Sequence, residues 1–272
     1  MMPSPSAERS PAEKGDQRAA PLPGTRPDGT RDEREASARV REMFSRIAPR
    51  YDLLNRLLSL SLDRLWRRRT ANRFAQILET PDARALDLCC GTGDLTFALE
   101  RRARKNGAGE GARIAGSDFA LPMLARAREK AAESNYEARF LAADALALPF
   151  APGSFDLVTA AFGFRNLANY ERGLQEIHRI LRPGGRIGIL EFSDPQKGIG
   201  AVGFRFYFRH ILPRIGGAIS GSPEAYNYLP GSVAKFPAPQ ELSEWMERCG
   251  FADVRFELWN FGSVAMHSGR KA

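Results

Sequence analysis

After Pro81 the chain alternates short apolar runs with amphipathic stretches of ten or more residues, and this rhythm limits the fold more than any other feature. ARALDLCC, ARIAGSDF, ARFLAADA, SFDLVTAAFGF and RIGILEFSDP read as strands. GTGDLTFALERRARK, LPMLARAREKAAES and YERGLQEIHRILRPGG read as helices between them, with Pro122 in one first turn and a Pro-Gly-Gly stop after the last. Strands that are apolar throughout belong under cover on both faces, and an intervening helix brings the chain back to start the next strand in the same direction. The pattern predicts an α/β fold, a mostly parallel sheet with helices on both faces. ADVRFELW and GSVAMHSGRK read as two last strands. The short Asn260-Phe261-Gly262 turn makes them antiparallel neighbours.

The flanks depart from this rhythm. Residues 1–36 are rich in Pro, Gly, Ala and charge, lack the apolar stretch of a secretory signal, and are expected to be a disordered tail. Residues 37–272 are expected to form a single domain. Its first part, 37–80, reads as a helical cap. Val40, Phe44 and Ile47 form one apolar stripe ahead of Pro49, and a longer helix over about 62–78 has Leu62, Leu65, Trp66, Phe74 and Ile77 on its apolar side. Residues 195–236 form an irregular insertion carrying aromatics and glycines.

The first strand runs into Gly91-Thr92-Gly93. Glycines there permit a tight strand-to-helix turn and a close approach of backbone to ligand. Asp118 ends the second strand at the spacing of a carboxylate that grips a ribose diol. A dinucleotide fingerprint would place a third glycine where this chain has Thr96, and Asp94 at the helix start would repel a phosphate. A cationic, phosphate-free nucleoside such as S-adenosylmethionine fits better than NAD. Cys89 and Cys90 are neighbours in a strand and point to opposite faces, so they do not converge on one metal. They read as small buried hydrophobes, and no metal is expected.

Four stretches carry a resemblance: FSRIAPRYDLLNRLLSLSLDRLW, LDLCCGTGDLT, ALPFAPGSFDLVTAAFGFRNLANYERGLQEIHRILRPGGRIGILEFSDP, and YNYLPGSVAKFPAPQELSEWMERCGF with GSVAMHSGRK. They resemble the class I methyltransferases, and closely the ubiquinone/menaquinone biosynthesis C-methyltransferase family. The glycine turn is shared widely among methyltransferases, whereas YDLLN, FGFRN and LEFSDP are much more specific. The resemblance implies a Rossmann-like seven-stranded sheet with an antiparallel C-terminal strand. It also implies methyl transfer from S-adenosylmethionine to a ring carbon of a polyprenylated quinol. By motif position it implies cofactor contacts at Gly91, Thr92 and Gly93, at Asp118 to the ribose hydroxyls, and at Asp144 with the backbone of Ala145 beside the adenine. The insertion at 195–236 would then lie on the acceptor side.

A ring carbon becomes a good nucleophile once a quinol hydroxyl ionises, so the site must stabilise a phenolate and align the carbon with the methyl. Arg165 and Asn166, in FGFRN after the fourth strand, fall where ligand sites of such sheets lie. Arg165 is expected to pair with the developing oxyanion, directly or through water, and Asn166 to orient the same oxygen. Tyr51 and Asp52 are candidates to line the lid. His267 reads as a structural histidine. CCGTGD leans towards the menaquinone branch, demethylmenaquinol to menaquinol, with the ubiquinone branch open.

The formal net charge of +8 calls for an anionic partner. That partner could be nucleic acid, an acidic membrane surface or an anionic substrate; the polyprenylated quinol that the resemblance implies points to the membrane. As no run of 18 apolar residues occurs, the contact is expected to be peripheral, from the cytoplasmic side, with Leu62, Leu65 and Trp66 dipping in and Arg64, Arg67, Arg68 and Arg69 meeting headgroups. Nucleic acid is not expected, because AFGFRN stands where base-amine methyltransferases carry an Asn/Asp-Pro-Pro-aromatic turn. A methyltransferase acting on RNA or on another small aromatic molecule stays the alternative. The sequence leaves oligomeric state open, a homodimer included.

Overall fold

The structure is a computed structural model that describes residues 24–27, 29–59, 61–106, 111–194 and 223–272. The tail expectation for residues 1–23 and the insertion expectation for 195–222 lie outside the described residues; the rest of the expected irregular insertion is corrected, since Pro223–Lys235 forms a helix despite Pro230 within it.

Seven strands form one sheet in the order β3-β2-β1-β4-β5-β7-β6. They are β1 (Arg84–Leu88), β2 (Arg113–Asp118), β3 (Arg139–Ala142), β4 (Phe155–Ala161), β5 (Leu181–Phe192), β6 (Phe251–Trp259) and β7 (Val264–Lys271). The first five are parallel; β7 runs antiparallel between β5 and β6, as the short turn requires. The strand period of two decides which cluster each residue joins. Leu86, Val158 and Ile187 pack with Leu174, Ile177 and Trp245 in one buried cluster. Their chain neighbours Ala85 and Leu157 pack with Trp66, Phe74, Leu95 and Leu99 in another. The helices involved are α3 (Leu62–Arg73), α5 (Asp94–Ala103), α7 (Tyr170–Ile180) and, near the C-terminus, α9 (Pro239–Arg248). α4 (Ala75–Leu78), α6 (Leu121–Glu133) and α8 (Pro223–Lys235) complete the later set.

The cap begins earlier than its sequence suggests. Helix α1 covers Glu33–Ile47 and so starts inside the stretch expected to be disordered. The charged run that resembles a tail is a helix start: the Asp32 side chain accepts from the Glu35 amide at 2.8 Å, and Glu33 and Glu35 sit in the first turn, where negative charge suits the helix dipole. Pro49 ends this helix as expected, in a single 3-10 turn over Ala48–Arg50, and α2 (Tyr51–Leu58) follows at once. The helix expected over 62–78 is broken at Phe74 into α3 and α4, because Phe74 turns into the core at 3% exposure. β1 also stops earlier than expected, at Leu88, since Cys89 takes a left-handed φ of 54°. α1 packs against α6 and α8, which sets the cap over the carboxyl ends of β1 and β2.

Candidate active site

Past Leu88 the chain must leave the sheet and enter α5 within a few residues. Gly91 and Gly93 do this with φ of 55° and 86°. A Cβ on Gly93 would fall 2.9 Å from the Phe97 ring, so its smallness serves helix packing. A Cβ on Gly91 would instead face the Tyr51 ring across 3.6 Å, at the cap. The Gly91 amide donates to Asp118 Oδ2 at 2.9 Å, and Asp118 Oδ1 accepts from the Ala120 amide at 2.9 Å. One carboxylate thus braces the glycine turn and starts α6. Burial pushes its carboxyl above the ordinary aspartate value, against the pull of these backbone hydrogen bonds.

Between these elements and the cap lies a cavity, in the place beyond the strand ends where sheets of this kind hold their ligands. Gly91, Asp118, Asp144, Ala145, Asn166 and Tyr51 all line it. Phe44, Met123, Phe162 and Leu167 supply apolar wall. Asp144 keeps its loop in shape by accepting from the Leu146 amide at 2.9 Å. No Lys, Arg or His lines this cavity among the described residues, while two carboxylates do. A pyrophosphate would meet only like charge there. A nucleoside with a ribose diol and a cationic sulfonium and ammonium meets acceptors and apolar wall, so the donor set fits S-adenosylmethionine.

Four expected residues stand outside that lining. Gly93 serves packing. Thr92 is 1% exposed and turns its hydroxyl onto Asp52. Asp52 also accepts from Lys130 Nζ at 2.9 Å, so it ties the cap to the glycine turn and to α6. Arg165 is the largest departure. Its Nη1 donates to Glu191 Oε2 at 2.9 Å and to the Phe162 carbonyl at 2.5 Å, with both side chains buried. An available guanidinium was the expectation; the charge is instead met by Glu191, a residue of LEFSDP that carried no assigned role. The Arg165–Glu191 pair fixes the FGFRN loop to β5.

Two more residues escape sequence reasoning. Asp87 is 1% exposed and burial pushes its carboxyl up to about 7, with the Thr96 hydroxyl donating to it at 2.7 Å. Thr96 therefore bonds β1 to α5 where a dinucleotide site would need glycine; an acid in β1 nine residues before a threonine was the available signal. Lys130 donates to Asp94 at 2.6 Å, and Arg67 lies 3.8 Å from the same carboxylate. The inference that Asp94 favours a cationic ligand is corrected by these partners: its charge is met inside the protein, and the preference rests on Asp118 and Asp144 instead. The cysteines separate. Cys89 lines the cavity, while Cys90 packs among Phe97, Leu124 and Phe140, and burial raises both thiols well above their ordinary value. His267 bonds the Pro239 carbonyl oxygen at 2.9 Å, and burial pulls it down to about 4, a structural histidine as expected.

The chain resembles known proteins over most of its length. A demethylmenaquinone methyltransferase of Thermus thermophilus is 54% identical over 227 residues, covering 84% of this chain and 99% of that protein. A demethylmenaquinone methyltransferase of Deinococcus radiodurans is 47% identical over 240 residues, covering 88% and 95%. The crystal structure of a SAM-dependent methyltransferase from Aquifex aeolicus matches with a TM-score of 0.53 at 16% identity, over 75% of this chain and 89% of that one, which speaks to the fold alone. The family model of the ubiE/COQ5 methyltransferases matches residues 32–271, and the chain belongs to the ubiE/COQ5 methyltransferase family.

Proposed function

We propose that this protein methylates a ring carbon of demethylmenaquinol, with S-adenosylmethionine as donor. The observation that carries the reading is the convergence of Asp118, the Gly91 turn and Asn166 on one cavity beyond the strand ends, in a chain whose relatives named above are demethylmenaquinone methyltransferases. S-adenosylmethionine supplies an electrophilic methyl group on a sulfonium sulfur. Asp118 would accept from the ribose hydroxyls, and Asp144 with the backbone of Ala145 would flank the adenine. The apolar wall excludes water from a reaction that needs two partners in line. Asn166 is the cavity residue suited to donate to the ionised quinol oxygen, whose charge spreads to the ortho carbon. As the carbon takes the methyl, the bond from methyl to sulfur breaks and its electron pair stays on the sulfur as a neutral thioether; the carbon then loses its own proton to water, which restores the aromatic ring. Arg165 acts as a positioning residue for the FGFRN loop. The test is transfer of labelled methyl to demethylmenaquinol under reducing conditions, with the oxidised quinone, a polyprenyl benzoquinol and tRNA as parallel acceptors. Label in menaquinol and none in the oxidised quinone is expected; label in tRNA instead overturns the reading.

A polyprenyl tail holds its quinol in the bilayer, at roughly 0.8 kcal/mol per buried methylene. No helix among the described residues is long and apolar enough to cross a membrane. The proposed contact is peripheral, on the inner face of the cell membrane, with Trp66 and Arg67 withdrawn from the expected face by their burial. Trp66 is 4% exposed, edge-on to Phe192, and its indole N–H donates to Asn260 at 2.9 Å. Arg67 is buried and paired with Asp63, and Arg69 stacks over the Trp259 ring at 4.5 Å. Arg64, Leu65, Arg68 and Arg69 stay exposed on α3, and Arg64, Leu65 and Arg68 line a wide groove with Arg56 on α2 and with Arg101 and Arg126 opposite. Each basic residue near an anionic surface is worth about 1 kcal/mol. Replacing Arg56, Arg64 and Arg68 together by Gln is expected to cut sedimentation with anionic liposomes at low salt by at least tenfold in partition, on that scale. Equal sedimentation of variant and wild type sinks this face.

A further inference from the structure

We infer that Thr25 and Tyr228 are positioning residues for Asn166, joined in a hydrogen-bond relay that sets which end of its side-chain amide serves the acceptor. The inference rests on the proposed role of Asn166 in binding the quinol oxygen.

The relay is built from three distant parts of the chain. Tyr228 on α8 donates its hydroxyl to Asn166 Oδ1 at 3.0 Å. Thr25 Oγ1 lies 3.0 Å from the same tyrosine oxygen. The directions follow from the donor inventory. A carboxamide oxygen only accepts, so the single Tyr228 hydrogen goes to Asn166, and Thr25 must donate to Tyr228. With Oδ1 committed to Tyr228, the Nδ2 hydrogens are the end of the amide that serves as donor. An oxyanion is stabilised by that end and repelled by the other, so a flipped amide would oppose ionisation of the quinol. Asn166 is 8% exposed and lines the cavity, where such a dipole acts in a partly water-free setting.

The segment that carries Thr25 is fastened to the same loop. The Thr25 amide donates to the Leu167 carbonyl at 2.8 Å, and Arg26 Nη1 donates to the Ala168 carbonyl at 2.5 Å. Gly24 sits so close that a Cβ there would fall 2.0 Å from the Ala168 oxygen. Asn169 Nδ2 donates to Glu33 Oε1 at 2.9 Å at the start of α1. Leu167, Ala168 and Asn169 directly follow Asn166, so this strap holds the loop from behind while Tyr228 holds its amide from the side. Thr25 lies ahead of residue 32, where the match to the family model begins.

The test compares Tyr228→Phe, Thr25→Val and Thr25→Ser with wild type. Val keeps the shape of Thr and loses the hydroxyl; Ser keeps the hydroxyl. Turnover on demethylmenaquinol is expected to fall about tenfold in Tyr228→Phe and several-fold in Thr25→Val, on the scale of one hydrogen bond. Affinity for S-adenosylmethionine should be unchanged in both, and Thr25→Ser should restore turnover. In an Asn166→Ala background Tyr228→Phe should cost nothing further, because its target is gone. The side-chain amide resonances of Asn166, assigned by their loss in Asn166→Ala, should shift in Tyr228→Phe and Thr25→Val and stay put in Thr25→Ser. The relay is overturned by full turnover in Tyr228→Phe, by a loss that persists unchanged without Asn166, or by amide resonances that do not move. The resonances report on the relay even if the wild-type protein fails to methylate the quinol, a result that would strike the proposed function alone.

Discussion

Replacing Asp118 by alanine is expected to weaken S-adenosylmethionine binding by roughly 1.5–3 kcal/mol, the worth of hydrogen bonds to a charged group, which is about ten- to a hundredfold in affinity. The argument does not rest on the motif alone. Asp118 is 7% exposed, lines the cavity, and has its bracing hydrogen bonds from the Gly91 and Ala120 amides. The alanine variant also frees those amides, so part of the loss will come from a looser glycine turn, visible as a lower melting temperature. The pH dependence separates the two effects. Burial holds the Asp118 carboxyl above its ordinary value. The ionised acceptor is needed for binding, so wild-type affinity should fall as pH is lowered, and should begin to fall sooner than for an exposed aspartate. Asp118→Asn should bind weakly with little pH dependence over the same range. Calorimetry on the three proteins checks this; wild-type affinity in Asp118→Ala would remove the residue from the cofactor site.

The parts of this site that could be read from sequence are those set by local chemistry. A glycine turn between strand and helix, an acid at the end of the next strand, and a loop after the fourth strand each follow from short-range rules, and the fold brings Gly91, Asp118 and Asn166 to one cavity as those rules require. The strand rhythm likewise gives the sheet, and the short turn gives the antiparallel β6–β7 pair. What stayed hidden depends on which side of an element faces which neighbour. Trp66 and Arg67 look like a membrane-facing strip on an isolated amphipathic helix. α3 instead packs onto α5 and the sheet, so Trp66 joins the core and Arg67 meets Asp63. Asp94 reads as a bare charge until α6 delivers Lys130. The charged run ahead of residue 37 reads as tail, because the groups that order it lie far off: Tyr228 is 203 residues from Thr25, and Asn169 is 136 from Glu33.

The Arg165–Glu191 pair is where the sequence and the structure lead to opposite measurements. From sequence, Arg165 is a free cation next to the acceptor, and its loss should slow turnover in a way that higher pH partly repairs, since the quinol then ionises unaided. In the structure the guanidinium bonds Glu191 and the Phe162 carbonyl and does not line the cavity. Glu191 is 0% exposed, and burial keeps its carboxyl above the ordinary value despite the guanidinium beside it. Removing one partner leaves the other charge buried and unpaired, a loss of roughly 3–5 kcal/mol of folding stability, whereas replacing both by apolar residues of similar volume is often neutral. Arg165→Ala is therefore expected to unfold at markedly lower urea concentration, and Arg165→Met with Glu191→Leu to regain most of that loss. Residual turnover of Arg165→Ala, measured where it is folded, should show no recovery at alkaline pH. Wild-type stability in Arg165→Ala, or turnover that climbs back towards wild type as pH rises, would return the guanidinium to the reacting oxygen. The pair also explains why FGFRN and LEFSDP stand out together in this chain. One supplies the cation and the other the anion that joins the loop after β4 to the end of β5, directly beside Asn166 in the chain.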